Sequence, residues 1–311
     1  MAASAFSGRR VWVAGHAGMV GQALVRRLSG EDCRLLTVPR AELDLLRRED
    51  VEKWIARARP DVVFLAAAKV GNNADVMARP DEFLHENMAI QDNVIGAAAL
   101  TGVDVLVFIA SSAVYPDIAG RMVREDDLPD RPPTRVNGAY ARAKIAGIKL
   151  CRTIAREQGR RFTAAVPCNL YGPGDRFDAD RGRVVAGMMT RMHRAKLAGE
   201  AVTEVWGDGT ARRELLFVDD LAEALARIAA QPTTDLVNVG PGQDVSIAEL
   251  AEAIRVAVGF AGRIRFNPDR PQGSAAKILD STRLRAMGWR PTVDLGDGLK
   301  RTYDWFLKQA A

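Results

Sequence analysis

The chain has 311 residues, of which 48% are apolar and 27% are charged, and 44 Lys and Arg against 39 Asp and Glu give a net charge of +5. This length favours one large domain with a smaller one, and the composition excludes a disordered tail protein, a collagen-like chain and a coiled coil. The basic excess is mild and aromatic residues make up only 6%, so a nucleic-acid groove with stacking platforms is not supported.

Location and redox state are also constrained by the sequence. No apolar run reaches the roughly 18 to 20 residues needed to cross a bilayer, and the N-terminal residues lack a basic stretch followed by an apolar one. The three cysteines, Cys33, Cys151 and Cys168, do not have metal-ligand spacing. We therefore expect a cytoplasmic protein with reduced thiols, no membrane partner and no bound metal.

Short β-branched runs alternate with longer helical patterns over the first 170 residues. In chain order they predict a strand at 11–14, a helix at 19–28, a strand at 35–38, a helix at 48–57, a strand at 62–66, a helix at 81–100, a strand at 105–110, a helix at 140–158 and a strand at 162–167. Because the strands are apolar on both faces, we predict an α/β fold with a doubly wound parallel (Rossmann) sheet, whose ligands bind at the carboxyl ends of its strands.

The regular alternation of predicted strands and helices ends after residue 167. Gly, Pro and Asp dominate residues 171–175, a helix is predicted at 184–198, and residues 206–213 and 263–277 suggest a lid over the open edge of the sheet. We therefore predict a cofactor-binding domain over residues 1–168 and a smaller, C-terminal substrate-binding domain over 169–311. Helices predicted at 220–230 and 298–307 are expected to return to the first domain.

A glycine-rich turn joins the first predicted strand to the first predicted helix. Gly15, Gly18 and Gly21 have the G-x-x-G-x-x-G spacing of the short-chain dehydrogenase type. Glycines let backbone N–H groups and the helix N-terminus approach a pyrophosphate, so this turn predicts a dinucleotide site. The predicted cofactor site also includes Met19, Val20, Ala66 and Ala68.

The residues after the second strand bear on the choice of cofactor. No acidic residue is present there to hold an adenosine 2′-hydroxyl, whereas Arg40 is available for a 2′-phosphate. An exposed, solvated arginine explains Arg40 equally well. Asp44 and Leu45 lie where enzymes of this type hold the adenine. We predict NADPH, with NADH as the alternative.

Tyr140 and Lys144 carry the strongest catalytic signal. Their i, i+4 spacing places both on one helix face, and Ser111 follows the preceding strand. An ammonium beside a phenol favours the phenolate, which lowers the pKa of the tyrosine and makes it a usable proton donor to a carbonyl. Ser111 can hydrogen-bond the same carbonyl oxygen. We predict Ser111, Tyr140 and Lys144 as catalytic residues, and the last two also as cofactor contacts.

Several stretches together carry a family resemblance. They are residues 15–21 (GHAGMVG), 65–71 (LAAAKVG), 111–116 (SSAVYP), 140–151 (YARAKIAGIKLC), 169–173 (NLYGP), 213–220 (RELLFVDD), 277–280 (KILD) and 288–289 (GW). These stretches resemble the GDP-L-fucose synthase family. The resemblance implies an extended short-chain dehydrogenase, and members of that family epimerise GDP-4-keto-6-deoxy-mannose at C3 and C5 before reducing C4 with NADPH.

The resemblance also implies roles for particular residues. Ser111, Tyr140 and Lys144 match the reductase triad. Positions that surround the GDP moiety in the family are matched by Asn169, Arg191, Trp206, Arg213 and Lys277. By the same analogy, a homodimer is expected to form through the helices predicted at 81–100 and 140–158.

Two departures from the family concern epimerisation. The family has a cysteine base where this chain has Ala113 and a histidine acid where it has Arg183. Alanine cannot move a proton, and a guanidinium that stays protonated is a poor acid. Cys168, Asp178 and Asp180 are candidate replacements. A simpler interpretation is that Cys168 is a small residue at a strand end and that the two aspartates form turns.

Two other departures concern the ligands. An arginine common in the family's glycine turn is replaced by Ala17, which weakens the case for NADPH. Asn72 and Asn73 stand where the family usually has Gly and an aliphatic residue. Extra amides could bind the extra hydroxyl of a heptose, and a solvent-facing loop is the alternative interpretation.

The sequence therefore predicts an NADPH-dependent C4 reduction of a GDP-4-keto-6-deoxy hexose or heptose without epimerisation, in nucleotide-sugar biosynthesis for bacterial surface polysaccharide. A bifunctional GDP-L-fucose synthase is the first alternative. A non-catalytic nucleotide-sugar or NADP-sensing protein is the second.

Overall fold

A six-stranded parallel sheet forms the centre of the computed structural model, which describes residues 5–71, 73–118, 120–130, 138–231, 235–270 and 277–310. The strands are β1 (Arg10–Ala14), β2 (Arg34–Leu36), β3 (Val62–Leu65), β4 (Val105–Ile109), β5 (Arg161–Pro167), β6 (Asn169–Tyr171), β7 (Val202–Trp206), β8 (Arg212–Phe217), β9 (Leu236–Val239), β10 (Asp244–Ser246) and β11 (Arg263–Asn267). The large sheet has the order β2-β1-β3-β4-β5-β9, with every neighbouring pair parallel. The predicted α/β fold with a Rossmann sheet is confirmed.

Helices cover both faces of this sheet. They are α1 (Met19–Leu28), α2 (Arg48–Ala58), α3 (Asn73–Ala78), α4 (Pro80–Leu100), α5 (Gly138–Gln158), α6 (Val184–Leu197), α7 (Val218–Ala230), α8 (Ile247–Val258), α9 (Thr282–Ala286) and α10 (Leu295–Ala310). Helix α1 packs against α7, while α4 packs against α2 and α5. Every residue of β3 and β4 is buried, which explains why these strands are apolar throughout.

A second apolar cluster lies outside the large sheet. It contains residues of α6, α8 and α10, among them Met189, Ile254 and Leu299. Two small sheets accompany it, one with the order β10-β8-β6 and the other pairing β11 with β7. Of the two helices expected to return to the first domain, α7 contributes Leu221 to the large core, whereas Tyr303 of α10 packs in the second cluster.

Several boundaries differ from the sequence prediction. Strand β2 begins at Arg34 and ends at Leu36, so Arg40 lies four residues beyond the end of the strand. The last strand of the large sheet, β9, and helix α8 were not predicted. Within the described ranges, no helix is long and apolar enough to span a membrane.

The topology gathers the candidate site at one edge of the sheet. Strands β1, β3, β4 and β5 are neighbours, and Gly15, Ala66, Ser111 and Asn169 follow their carboxyl ends. Because parallel strands end at the same edge, residues far apart in sequence share one cleft.

Candidate active site

The glycine turn after β1 is shaped by the absence of side chains. Gly15 has φ +90°, and a Cβ there would lie 2.5 Å from the backbone nitrogen of Ala67. A Cβ on Gly21 would collide with the Gly15 carbonyl. The Gly18 N–H donates to that carbonyl at 3.1 Å and closes the turn. Substitution of Gly15 or Gly21 by a residue with a side chain would force β1, β3 and α1 apart.

The turn fits a dinucleotide. Gly18 is the N-cap residue of α1 and has no side chain that could accept a hydrogen bond from the first turn of the helix. That turn contains no acidic residue. The N–H groups at Met19 and Val20 are therefore not capped by a side chain and are suited to a pyrophosphate. The segment holding Ala66 and Ala68 runs beside the turn, since the Ala66 N–H donates to the Ala14 carbonyl at 2.9 Å.

The residues predicted to bind the adenosine part differ in how firmly they are held. The Leu45 carbonyl accepts a hydrogen bond from the Asn93 amide at 2.9 Å, which fixes that segment to α4. The Arg40 side chain is 75% exposed and lies 3.7 Å from the Asp44 carboxylate. Contact between Arg40 and a 2′-phosphate stays a prediction.

Ser111, Tyr140 and Lys144 come together where β4 ends and α5 begins. The Lys144 ammonium donates to the Ile109 carbonyl at 2.9 Å and lies 4.6 Å from the centre of the Phe108 ring. The Ser111 hydroxyl lies close enough to the Tyr140 phenol to lower its pKa. The close packing of α5 on β4 therefore assembles all three side chains as one unit.

Burial dominates the electrostatics of this unit. It raises the pKa of Tyr140 to about 12 and lowers the pKa of Lys144 to about 7, because desolvation disfavours both charged forms. Two influences oppose burial at Tyr140: the positive charge of Arg183, followed by the Ser111 hydrogen bond. The sequence assigned the lowering of this pKa to Lys144, whereas in the structure the cation that lowers it is Arg183.

Arg183 forms an ion pair with a buried aspartate. Its Nη2 lies 2.7 Å from Oδ1 of Asp175, and the side chain of Asp175 is only 3% exposed. The other position that bears on epimerisation is occupied by Ala113, whose N–H donates to the Ser111 hydroxyl at 3.2 Å. Neither Ala113 nor the paired Arg183 can exchange a proton with a sugar carbon.

The proposed replacements for these groups are poorly placed for proton transfer. Cys168 is buried, and burial, with the negative charge of Glu214, raises the pKa of its thiol well above the usual value. Oδ1 of Asp178 accepts the N–H groups of Asp180 and Arg181, both at 2.9 Å, as a turn former does. Asp180 is exposed in the same turn.

Three of the residues assigned to the GDP moiety are connected through Glu214. The Asn169 amide donates to the Glu214 carbonyl at 3.1 Å, and Arg213 precedes it on β8. The Glu214 carboxylate accepts the Leu279 N–H at 2.9 Å, which fixes the segment that begins at Lys277. Burial raises the pKa of Glu214 to about 7. Sequence reasoning missed this residue, although it lies inside a motif that was recognised.

Lys277 is also anchored to the loop that follows the catalytic serine. Its ammonium donates to the Tyr115 carbonyl at 2.5 Å and lies 3.6 Å from the Asp117 carboxylate. The cation is therefore held close to the cleft rather than projecting into solvent.

Arg191 and Trp206 form a second group. The Arg191 guanidinium lies 5.3 Å from the centre of the Trp206 ring, and that of Arg270 lies 5.6 Å from it. Burial lowers the pKa of Arg191, whose Nε is buried and has no hydrogen-bond partner among the described residues. Arg270 was missed because it belongs to a basic stretch in which no spacing distinguishes it.

Two predicted features remain to be placed. Asn72 and the side chain of Asn73 lie outside what the structure describes. In the part of the chain that is described, no group of three or more His, Cys, Asp and Glu side chains could hold a metal ion.

Comparisons with known proteins agree with this arrangement. The model of the NAD dependent epimerase/dehydratase family matches residues 11–240. GDP-L-fucose synthase of Sinorhizobium fredii is 41% identical over 98% of this chain and 97% of its own. A GDP-6-OMe-4-keto-L-xylo-heptose reductase from C. jejuni superposes with a TM-score of 0.89 at 30% identity, covering 97% of this chain and 98% of its own. MlghC, a GDP-mannoheptose C4 reductase from Campylobacter jejuni with NADP bound, gives 0.85 at 30% identity, covering 96% and 98%.

Proposed function

The chain belongs to the NAD dependent epimerase/dehydratase family and to its GDP-L-fucose synthase-like members, and from this premise we propose that it reduces C4 of a GDP-4-keto-6-deoxy sugar without changing C3 or C5. It is an NAD(P)-dependent enzyme of nucleotide-sugar metabolism, and its cofactor is NADPH. The finer proposal places it in the biosynthesis of a bacterial surface polysaccharide.

One observation carries the proposal: the cleft keeps the groups for reduction and lacks those for epimerisation. Ser111, Tyr140 and Lys144 are assembled where β4 ends and α5 begins. At the two positions where the family moves protons at carbon, the chain has Ala113 and an arginine paired with Asp175. Reduction needs one proton donor, whereas each epimerisation needs a base and an acid on opposite faces of the ring.

The side chains divide the reduction step among them. When bound, NADPH supplies the hydride. Tyr140 donates its proton to the C4 oxygen, and the Ser111 hydroxyl hydrogen-bonds that oxygen and orients it. Lys144 is held by the Ile109 carbonyl, from where it orients Tyr140 and the ribose of the cofactor.

The GDP part is assigned to cations that come from separate parts of the chain. Arg191, Arg213 and Lys277 come from three different elements, and charge-assisted hydrogen bonds from such groups suit a diphosphate. Trp206 offers a ring that Arg191 and Arg270 already flank. This division of the site supports a nucleotide sugar as substrate rather than a small free ketone.

The test is product analysis. We expect the purified enzyme with NADPH to convert GDP-4-keto-6-deoxy-mannose, or its heptose counterpart, into a 4-hydroxy product whose C3 and C5 configurations by NMR are those of the substrate. Comparing kcat/KM for the two substrates assigns the sugar class. A product inverted at C3 and C5 would establish the bifunctional synthase instead.

The same assay separates the enzyme from a binding protein. A protein that senses NADP or a nucleotide sugar would bind both ligands without oxidising NADPH. Absorbance at the nicotinamide band during incubation with both candidate substrates distinguishes the two, and binding without turnover would favour the sensor.

We also propose that the chain forms a homodimer through α4 and α5. These helices pack along each other, and a depression between them is lined by Met88, Gln91 and Leu150. Met88 is an exposed apolar side chain, as expected of a face that packs against a second copy. Sedimentation equilibrium checks this proposal, and a monomer at micromolar concentration contradicts it.

A further inference from the structure

The carboxylate of Asp175 is committed to one partner side chain. Its Oδ1 accepts Nε of Arg183 at 3.2 Å, Nη2 of Arg183 at 2.7 Å and the Arg176 N–H at 2.8 Å. Its Oδ2 is buried and has no hydrogen-bond partner among the described residues. Since an uncompensated buried carboxylate is costly, the position of the Arg183 guanidinium is fixed by this pair.

The guanidinium lies near both the cofactor turn and the proposed proton donor. Its Nη2 is 3.7 Å from the sulfur of Met19, the first residue of α1. The loop that carries Asp175 packs against the same point, since a Cβ on Gly174 would lie 3.2 Å from the Met19 Cα. The guanidinium is also close enough to Tyr140 for its charge to act on the phenol.

One edge of the guanidinium is unused. Within the described residues, Nη1 of Arg183 makes no hydrogen bond, and the side chain is 39% exposed. An arginine carries five N–H donors in a rigid fork, and Nε and Nη2 are the nitrogens that bond Asp175. The remaining donors are available to a ligand in the cleft, where the proposed function places the sugar.

We propose that Arg183 is a substrate-contacting residue, which donates hydrogen bonds from Nη1 to a sugar oxygen beside Tyr140, and that Asp175 is the residue that positions it. This inference rests on the proposed function. As hydride reaches C4, negative charge develops on the C4 oxygen, and a fixed cation stabilises that charge without reorganising. The position that transfers a proton in the family is thus used here for binding and charge stabilisation.

The first experiment compares Arg183→Ala with Arg176→Ala. Arg176 is an exposed neighbour in the same loop, 3.7 Å from Asp178, and its variant should keep the kcat of the wild type. For Arg183→Ala we expect kcat to fall by about 10- to 100-fold, the usual effect of losing one charge-assisted hydrogen bond. The fall in kcat should exceed the rise in KM, because the interaction strengthens as charge develops. The Kd of NADPH, measured by fluorescence, should change little.

Chemical rescue distinguishes this role from a structural one. Guanidinium ion, added to Arg183→Ala far below the concentrations that unfold proteins, should restore part of kcat by occupying the vacated place on Asp175. In Arg183→Ala combined with Asp175→Asn, the carboxylate that holds the ion is gone and rescue should disappear. If the double variant does not fold, Arg183→Lys replaces it, and a kcat between those of wild type and Arg183→Ala is expected because charge is retained and the fork is lost.

The outcomes are separable. Wild type without turnover would overturn the proposed function and the inference with it. With an active wild type, a kcat of Arg183→Ala within twofold of normal would overturn the inference alone. A reduced kcat with a lowered Tm and no response to guanidinium would show that Arg183 is structural, which also overturns it.

Discussion

The side of the cleft built from β4 and α5 differs from the side built from residues 172–183 in what its polar groups can do with a proton. On the first side the Tyr140 phenol lies close to the Ser111 hydroxyl and to the buried Lys144. On the second side, Arg183 is held in an ion pair with the buried Asp175, and a guanidinium is a poor acid. In the proposed function, the cleft keeps the groups for hydride transfer, while the two positions that transfer protons at carbon in the family hold Ala113 and Arg183.

Removal of the proposed proton donor on the first side should have the largest effect on kcat. Tyr140→Phe deletes the proposed proton donor and should lower kcat by at least about 100-fold, the usual scale of general acid catalysis. Binding of NADPH should change little. Steady-state kinetics with the 4-keto substrate measures the effect.

A matched control is Tyr303→Phe. The Tyr303 hydroxyl bonds Nδ1 of His193 at 2.9 Å in the second apolar cluster, so its loss should leave kcat unchanged. Near-normal turnover by Tyr140→Phe would reject the assignment of the proton donor and remove the basis of the contrast.

The next effect concerns cofactor binding at Arg40, which lies beyond the end of β2. Arg40→Ala should weaken NADPH binding by about 10- to 100-fold, since a charge-assisted contact contributes about 1.5 to 3 kcal/mol, and should leave NADH binding unchanged. Arg47→Ala serves as the control, because Arg47 is an exposed arginine already 2.9 Å from Asp50. Titrations of both cofactors measure the effect, and a wild-type preference for NADH would refute the role of Arg40.

The lowered pKa of Lys144 predicts a smaller, pH-dependent effect on cofactor binding. Burial lowers its pKa to about 7, so raising the pH through 7 removes the ammonium that the ribose contact requires. The Kd of the cofactor should therefore rise with pH above about 7, by at most about tenfold per pH unit.

NADH is the better probe for this titration, because it has no 2′-phosphate that titrates nearby. Lys144→Met should flatten the profile and Lys149→Met, a change of an exposed lysine on the same helix, should keep it. The titration runs from about pH 6 to about pH 9 so that it spans the pKa of Lys144. A wild-type Kd that is constant over this range would contradict the role of Lys144.

The sequence could predict, for a physical reason, that the glycine turn and the residues between β4 and α5 lie at one end of the sheet. The glycine turn, Ser111 and the Tyr140–Lys144 pair are defined by local spacing within regular elements, and a parallel sheet brings strand ends together. Arg183 was identified by comparison with the family, but its partner Asp175 was not. Nothing in a spacing of eight residues across an irregular loop indicates that two side chains meet, since the loop geometry depends on packing against α1.

The C-terminal half was harder to predict for the same reason. Strand β9 has only four residues and is recognised by its place beside β5 rather than by its pattern. Helix α8 did carry a local signal that was overlooked: Ser246 and Glu249 form a capping box at its start. The side-chain network of Glu214 could not be predicted, because its partners lie 28 and 65 residues away.

The last prediction is an absence of change, and it addresses the second side of the cleft directly. Epimerisation next to a ketone removes a carbon-bound proton and returns one to the other face, so the protons at C3 and C5 would exchange with solvent. Reduction alone leaves those positions untouched. A turnover in D₂O should therefore give a product without enzyme-dependent deuterium at C3 and C5, once spontaneous exchange in an enzyme-free control has been subtracted.

The contacts of the candidate acids and bases in the wild-type chain support this expected absence of exchange. An exchange reaction would need a base and an acid other than Ala113 and Arg183, and the thiol of Cys168 is buried with a raised pKa, while Asp178 is occupied by two backbone N–H groups. Mass spectrometry of the product, with NMR to locate any label, reads the result at each carbon. Deuterium at C3 or C5 with inverted configuration would mean that other residues supply the acid and base, and the contrast between the two sides of the cleft would then describe a relocation of the epimerisation groups and not their loss.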